Sequence, residues 1–172
     1  VLDTEAELIA AVAAGGTVEL DGNIELTDTL VINGEVVLDL NGYTISQTKE
    51  CTASYTMISN KGKLTITGNG KISMNDTGVN TGSAWGVYTI SNYDGTLVVE
   101  NGTIENVAPN SIGNVNNAIF NYSGDTTING GTFSVPYSRT VRLWHGSVTI
   151  NGGTFNGTLE TYSNAADITV KG

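Results

Sequence analysis

Between Tyr137 and His145 the chain concentrates groups able to grip a ligand: Tyr137, Arg139, Arg142, Trp144 and His145. This stretch holds both arginines, the single histidine and one of the two tryptophans. A guanidinium is a planar donor that matches carboxylates, and an aromatic ring offers a flat apolar platform with a polar rim. In an extended strand Arg142 and Trp144 share one face while Leu143 points to the other. With Leu143 in the core, Arg142 and Trp144 face outward, where they suit a glycan or an anionic partner. The competing reading is surface packing, with Arg142 stacked on Trp144 or paired with a nearby carboxylate. Trp85, Tyr88 and Tyr93 form a second aromatic group, for which partial burial is the simpler account.

Other chemistry finds less support. Glycoside hydrolysis needs two carboxylates at a set separation across the scissile bond. Asp39 and Glu100 sit near equivalent turns, but in repeat copies separated by the Leu64–Ile72 copy, and no Asp-Asp or Glu-Glu pair occurs. Calcium asks for several converging oxygens, whereas Asp125 and Asp167 are isolated residues at turns. One cysteine and one histidine cannot make a zinc site. The expectation is therefore no catalytic residue, no metal and no cofactor. Cys51 stands alone, so no intrachain disulfide forms.

The charge balance narrows the partners. Seventeen carboxylates against seven Lys and Arg leave a net charge of -10. Nucleic acid and bare anionic membrane both demand clustered cations, and both are disfavoured. Ten of the acidic residues lie in the first 50 positions, with Lys49 the sole base there, which reads as a solubilising face. No stretch approaches the roughly 20 apolar residues of a membrane span. No basic leader heads the chain, which begins at Val1 as a processed or excised piece would.

The elements that must position these groups are mostly strands. Thr4 and Glu7 have capping-box spacing, and Leu8 and Val12 fall on one face of an alanine-rich run closed by Gly15 and Gly16. This predicts a helix of about three turns, roughly 15 Å long, over Glu5–Ala14. After Gly16 the apolar period changes to two. Short runs at Thr17–Leu20, Ile24–Leu26, Leu30–Ile32 and Val36–Leu40 are broken by Asp21-Gly22 and Asn33-Gly34.

A repeat then emerges. Leu-Asp-Leu-Asn-Gly-Tyr-Thr-Ile at 38–45 is echoed at 64–72 and 97–104, and Thr-Ile-Asn-Gly-Gly-Thr-Phe occurs twice, ending at Phe133 and Phe155. Aligned on Gly42, Gly70, Gly102, Gly131 and Gly153, the copies are 28, 32, 29 and 22 residues apart. A sixth begins at Ile168. Between copies run Tyr55–Ser59, Gly86–Ser91, Ala118–Tyr122 and Val141–Trp144, and polar segments such as 75–83 and 109–116 absorb the length differences. Repeats of this size bury their apolar residues by stacking on one another. Val99, Ile128 and Ile150 should form one column, Ile104, Phe133 and Phe155 another, and Asn129 and Asn151, with Asn101, an amide ladder.

These alternating runs ending in Asn-Gly, the alanine-rich helix closed by Gly-Gly and the 38–45 stretch resemble the pectate-lyase-like right-handed parallel β-helix group. Within it the likeness is to repeat modules of bacterial surface proteins and of phage fibres and decoration proteins. The resemblance implies an all-β solenoid of about six coils, roughly 30 Å long at one rung per strand spacing. Residues 1–16 form a capping helix and 17–172 the β-helix. The enzymes of the group carry Asn-Thr-Asp, paired Asp, Gly-His-Gly and Arg-x-Lys stretches. Here Asn75-Asp76-Thr77 has another order and His145 follows Trp144.

The resulting expectation is a non-enzymatic exterior module, extracellular, on a cell surface or in a virion. It joins a larger assembly or self-associates, as a homotrimer for instance, because no lid follows Ile168, and it binds glycan through the outward Arg142 and Trp144. The alternatives are a polysaccharide lyase or glycoside hydrolase with an unfamiliar site, and an ice- or lattice-binding face. The latter needs an unbroken column of Thr, and Lys71 interrupts that of Thr103, Thr132 and Thr154.

Overall fold

Alternation of apolar and polar side chains along short strands gives each strand one face to bury, and in this chain those faces turn to a common interior. The computed structural model describes residues 1–78, 86–107, 115–162 and 167–171, with Val115 and Tyr137 described by their backbone only. One helix, α1 (Glu5–Ala14), precedes β1 (Gly16–Glu19), β2 (Ile24–Glu25), β3 (Leu30–Ile32), β4 (Glu35–Asp39), β5 (Thr44–Lys49), β6 (Tyr55–Asn60), β7 (Lys63–Thr67) and β8 (Lys71–Asp76). There follow β9 (Gly86–Asn92), β10 (Gly95–Val99), β11 (Thr103–Asn106), β12 (Val115–Asn121), β13 (Gly124–Ile128), β14 (Thr132–Leu143), β15 (Ser147–Ile150), β16 (Thr154–Thr161) and β17 (Asp167–Val170).

Pairing is parallel and skips along the chain. One sheet runs β1-β4-β7-β10-β13-β15-β17, and the other runs β2-β5-β8-β11-β14-β12-β9-β6-β3, with β16 also on β14. The twelve-residue β14 therefore joins two columns of strands, pairing with β11 through its first half and with β12 through its second. The sequence reading ended one run at Phe133 and opened the next at Val141, where the structure has a single strand. The chain continues because Pro136 is exposed and falls where the β14–β16 register shifts, between Ser134 and Arg139, so its missing N–H costs no ladder bond.

In-register pairing stacks like on like. Val99, Ile128 and Ile150 align, as do Ile104, Phe133 and Phe155, and the two phenyl rings stack at 4.9 Å. Leu38, Leu64, Ile66, Ile72, Leu97, Val99 and Ile104 are all fully buried. Each such side chain contributes about 1.5–3 kcal/mol by leaving water. The Thr44, Thr103, Thr132 and Thr154 positions share a column with Lys71, which reaches Glu105 at 3.0 Å.

The helix forms where its signals place it. Thr4 caps it, Glu7 closes the box, and the Gly15 N–H donates to the Ala11 carbonyl at φ 78°. Leu8 and Val12 are buried in the same core as Val18 and Leu20. Among the described residues no helix is long and apolar enough to cross a membrane.

Candidate functional site

Arg142 faces outward because its strand neighbours Val141 and Leu143 are fully buried, while Arg139 reaches the same face through the irregularity between it and Val141, where Thr140 and Val141 are both buried. Across the strands Phe120, Arg142 and Glu160 align. Arg142 is only 12% exposed in its side chain, with its Nε 3.1 Å from Glu160 Oε2. That contact is an ion pair without the alignment of a hydrogen bond, since neither atom has a hydrogen-bond partner. Arg139 pairs with the same carboxylate. The Arg142 guanidinium also lies over three rings, 5.8 Å from Phe120, 5.6 Å from Trp144 and 5.0 Å from Tyr162.

Two cations thus share one anion inside an aromatic collar. Arg142 is committed to its neighbours, so what the patch offers a ligand is its rim: exposed His145, half-buried Trp144 and Arg139. Tyr137 lies on β14, but its side chain is outside the described residues, as is Trp85. Tyr88 stacks on Phe120 at 4.4 Å, and burial pushes its hydroxyl above its usual range, partly offset by Arg142.

Two residues along, a longer feature appears. The N–H groups of Tyr122, Trp144 and Tyr162 donate to the carbonyls of Asn92 (3.0 Å), Asn121 (2.8 Å) and Leu143 (2.9 Å), so Tyr93, Tyr122, Trp144 and Tyr162 occupy successive rungs. Their rings follow one another at 5.1, 6.4 and 4.2 Å, the last pair nearly parallel at 13°. Rungs about 4.8 Å apart allow such a stack. Each ring contact adds about 0.5–1.5 kcal/mol. Beneath it, Asn60, Asn92 and Asn121 are fully buried. Asn60 Nδ2 donates to Asn92 Oδ1 at 2.8 Å, and Asn92 Nδ2 to Asn121 Oδ1 at 2.9 Å.

Neither column was read from the sequence. The available signal was the recurrence of Asn-Tyr at 92–93 and 121–122, matched by Asn-Lys at 60–61. At the turns, Asn151 Nδ2 does donate to Asn129 Oδ1 at 2.8 Å. Asn101 does not continue that ladder. Register sets Asn129 beside Glu100, whose Oε1 accepts its Nδ2 at 3.0 Å, while Asn101 bonds Asn69.

Neighbouring rings cover part of each other's faces; Tyr122 within the column keeps 44% exposure, and the rings at its ends have a column neighbour on one side alone. Tyr162 ends it on one side and is 59% exposed. On the other side the rung before Tyr93 carries Lys61, whose N–H donates to the Ile32 carbonyl as that of Tyr93 does to Asn60. Here the outward column shrinks from Phe120 to Ser91 and Ser59. The step leaves a groove of about 630 Å³ lined by Thr29, Thr56, Ser59, Lys61, Tyr93 and Asp94. Thr29 Oγ1 donates to the Thr56 carbonyl at 2.7 Å, and the Thr56 and Ser91 hydroxyls meet at 2.9 Å.

No known protein family, curated protein or solved structure matches this chain.

The remaining reactive groups are held in structural roles. Cys51 is buried, and burial, reinforced by Asp76, pushes its thiol up to about 12. Asp39 Oδ1 accepts the Asn41 N–H at 2.9 Å, inside the turn where Asn41 takes φ 46°. Among the described residues no three His, Cys, Asp or Glu side chains converge as metal ligands would.

Proposed function

We propose that the chain is a right-handed parallel β-helix acting as a non-enzymatic exterior module. In this reading it is an adhesive or structural component of a virion or a bacterial cell surface that contacts glycan through its aromatic face. The observation that carries the reading is the continuous column Tyr93, Tyr122, Trp144 and Tyr162 with Arg142 and Arg139 beside it. Four large rings ordered along the outside, with Tyr122 and Tyr162 at 44% and 59% exposure, leave an apolar surface in water that a partner would cover. Aromatic and Arg side chains are the groups that anchor interfaces.

The solenoid reading draws on the sheet order, in which each unit's first, second and third strands pair with their counterparts in the next unit. The exterior assignment draws on the acidic balance of the chain, a net charge of -10.

A glycan array with the purified chain, together with mass photometry, tests the proposal. Saccharide or cell-surface binding that falls in Tyr162→Ala and Trp144→Ala variants supports it. A stable monomer that binds no glycan, cell or capsid protein overturns it.

A further inference from the structure

The groove before Tyr93 differs in kind from the arginine patch. There the charged groups are paired with one another, whereas here they are uncommitted. Among the described residues Lys61 and Asp94 form no ion pair, either together or with a third group. Asp94 is set rigidly for an exposed residue. Its φ is 58°, and its N–H is held by the Ser123 carbonyl at 3.1 Å and the Ser123 hydroxyl at 2.9 Å. Tyr93 is packed on one side by Tyr122, so its ring presents its other side at the groove end of the column.

We propose that this groove is a binding site for a neutral pyranose, stacked on the free face of Tyr93, with hydroxyls donating to Asp94 and accepting from Lys61. The ligand class follows from the set. A sugar ring has one apolar C–H face and a rim of hydroxyls, and the groove pairs one aromatic face with a donor, an acceptor and a floor of Thr and Ser hydroxyls. Its volume lies within the roughly 300–1,000 Å³ of small-molecule sites. A uronate suits it less, because Asp94 and the net charge of -10 both oppose a second carboxylate. The class of ligand rests on the glycan reading above, but its location does not.

Saturation-transfer NMR on the full chain with methyl glucoside, methyl galactoside, methyl N-acetylglucosaminide and galacturonate is the test. The expected result is binding of one or more neutral glycosides, strongest transfer to the C–H face, and weaker binding of galacturonate. Tyr93→Ala should weaken binding about tenfold, the size of a lost stacking contact, and Tyr93→Phe should keep it. Should Tyr93→Ala disturb the aromatic column itself, Asp94→Asn decides. Asn accepts the same left-handed backbone and keeps the fold, yet it should weaken binding several-fold.

Asn151→Ala, in the exposed turn ladder away from the groove, should change nothing. Neutral glycosides bound equally by the Tyr93 and Asp94 variants, or lost in Asn151→Ala, would overturn the groove and leave the exterior glycan-binding reading standing. Preference for galacturonate, or no glycoside binding at tens of millimolar, also overturns the groove, while attachment to cells or capsid protein is scored separately.

Discussion

Asn92 illustrates how one side chain can hold several strands. Its amide accepts from Asn60 and donates to Asn121, and Nδ2 also reaches the Gly95 carbonyl at 3.0 Å, all at zero exposure. A buried amide left without partners is costly, so the ladder both needs and enforces stacking in register. Asn92→Ala should cost about 2 kcal/mol, because one bond is lost from each of two buried neighbours. Asn151→Ala, in the exposed turn ladder, should cost under about 0.5 kcal/mol. Urea denaturation of both variants checks this, and equal losses would contradict the buried ladder's role. The turn ladder was legible because Asn-Gly reads as a turn. The buried one was not, since Asn at a strand end also reads as a turn residue. Its burial follows only from the strands stacked on either side.

At the scale of the element, α1 was legible down to its boundaries, because capping chemistry is local: Thr4, Glu7, Gly15 and Gly16 suffice. Its tie to the sheets was not. Glu5 reaches forward to accept the Thr27 N–H and hydroxyl, both at 2.8 Å. Those bonds from Thr27 hold the Glu5 carboxyl below its ordinary 4.5, and Thr4, with the Asp3 and Thr4 N–H groups, does the same for Glu7.

A carboxylate lowered in the folded state stabilises most above its unfolded value, and that stabilisation fades as pH falls through the lower folded value. Stability should therefore drop with acid below about pH 4. A Glu5→Gln, Glu7→Gln double variant should start less stable at neutral pH and show a shallower decline, as read by thermal unfolding at several pH values. The opposite miss is β14, read as one run ending at Phe133 and another beginning at Val141. Proline penalises a strand only where its N–H is needed, and that depends on a neighbour the sequence cannot show.

For the whole molecule, the repeat made parallel stacking legible, since equivalent residues recur and a single unit cannot bury its own apolar face. What it could not reveal is how the third strands meet the second through β14. The spacings of 28, 32, 29 and 22 vary in the connecting segments, while the paired strands do not. Of the candidate site, Arg142, Trp144 and their shared face were readable from alternation. The Tyr93–Tyr162 column was not, because its members lie 29, 22 and 18 residues apart and share only their rung.

Burial falls toward one side of the stack: β7 and β10 keep Leu64, Ile66, Leu97 and Val99 fully buried, whereas β16 and β17 are exposed along most of their length. Amide hydrogen exchange should follow, with Thr154–Thr161 and Asp167–Val170 exchanging first and Lys63–Thr67 and Gly95–Val99 last. Uniform protection across these strands would contradict the gradient.

The uniformly parallel pairing has a mechanical consequence. Within each sheet the ladders of backbone bonds run from strand to strand, so a pull across the strands is borne by successive pairs in series and gives way at the weakest. A pull along the strands is instead shared by a whole ladder sliding at once. Tension through β17 would peel β15 bare and leave the deeper rungs intact, whereas drag across the aromatic face would load many ladders together. The protein is thus compliant along one axis and stiff across it.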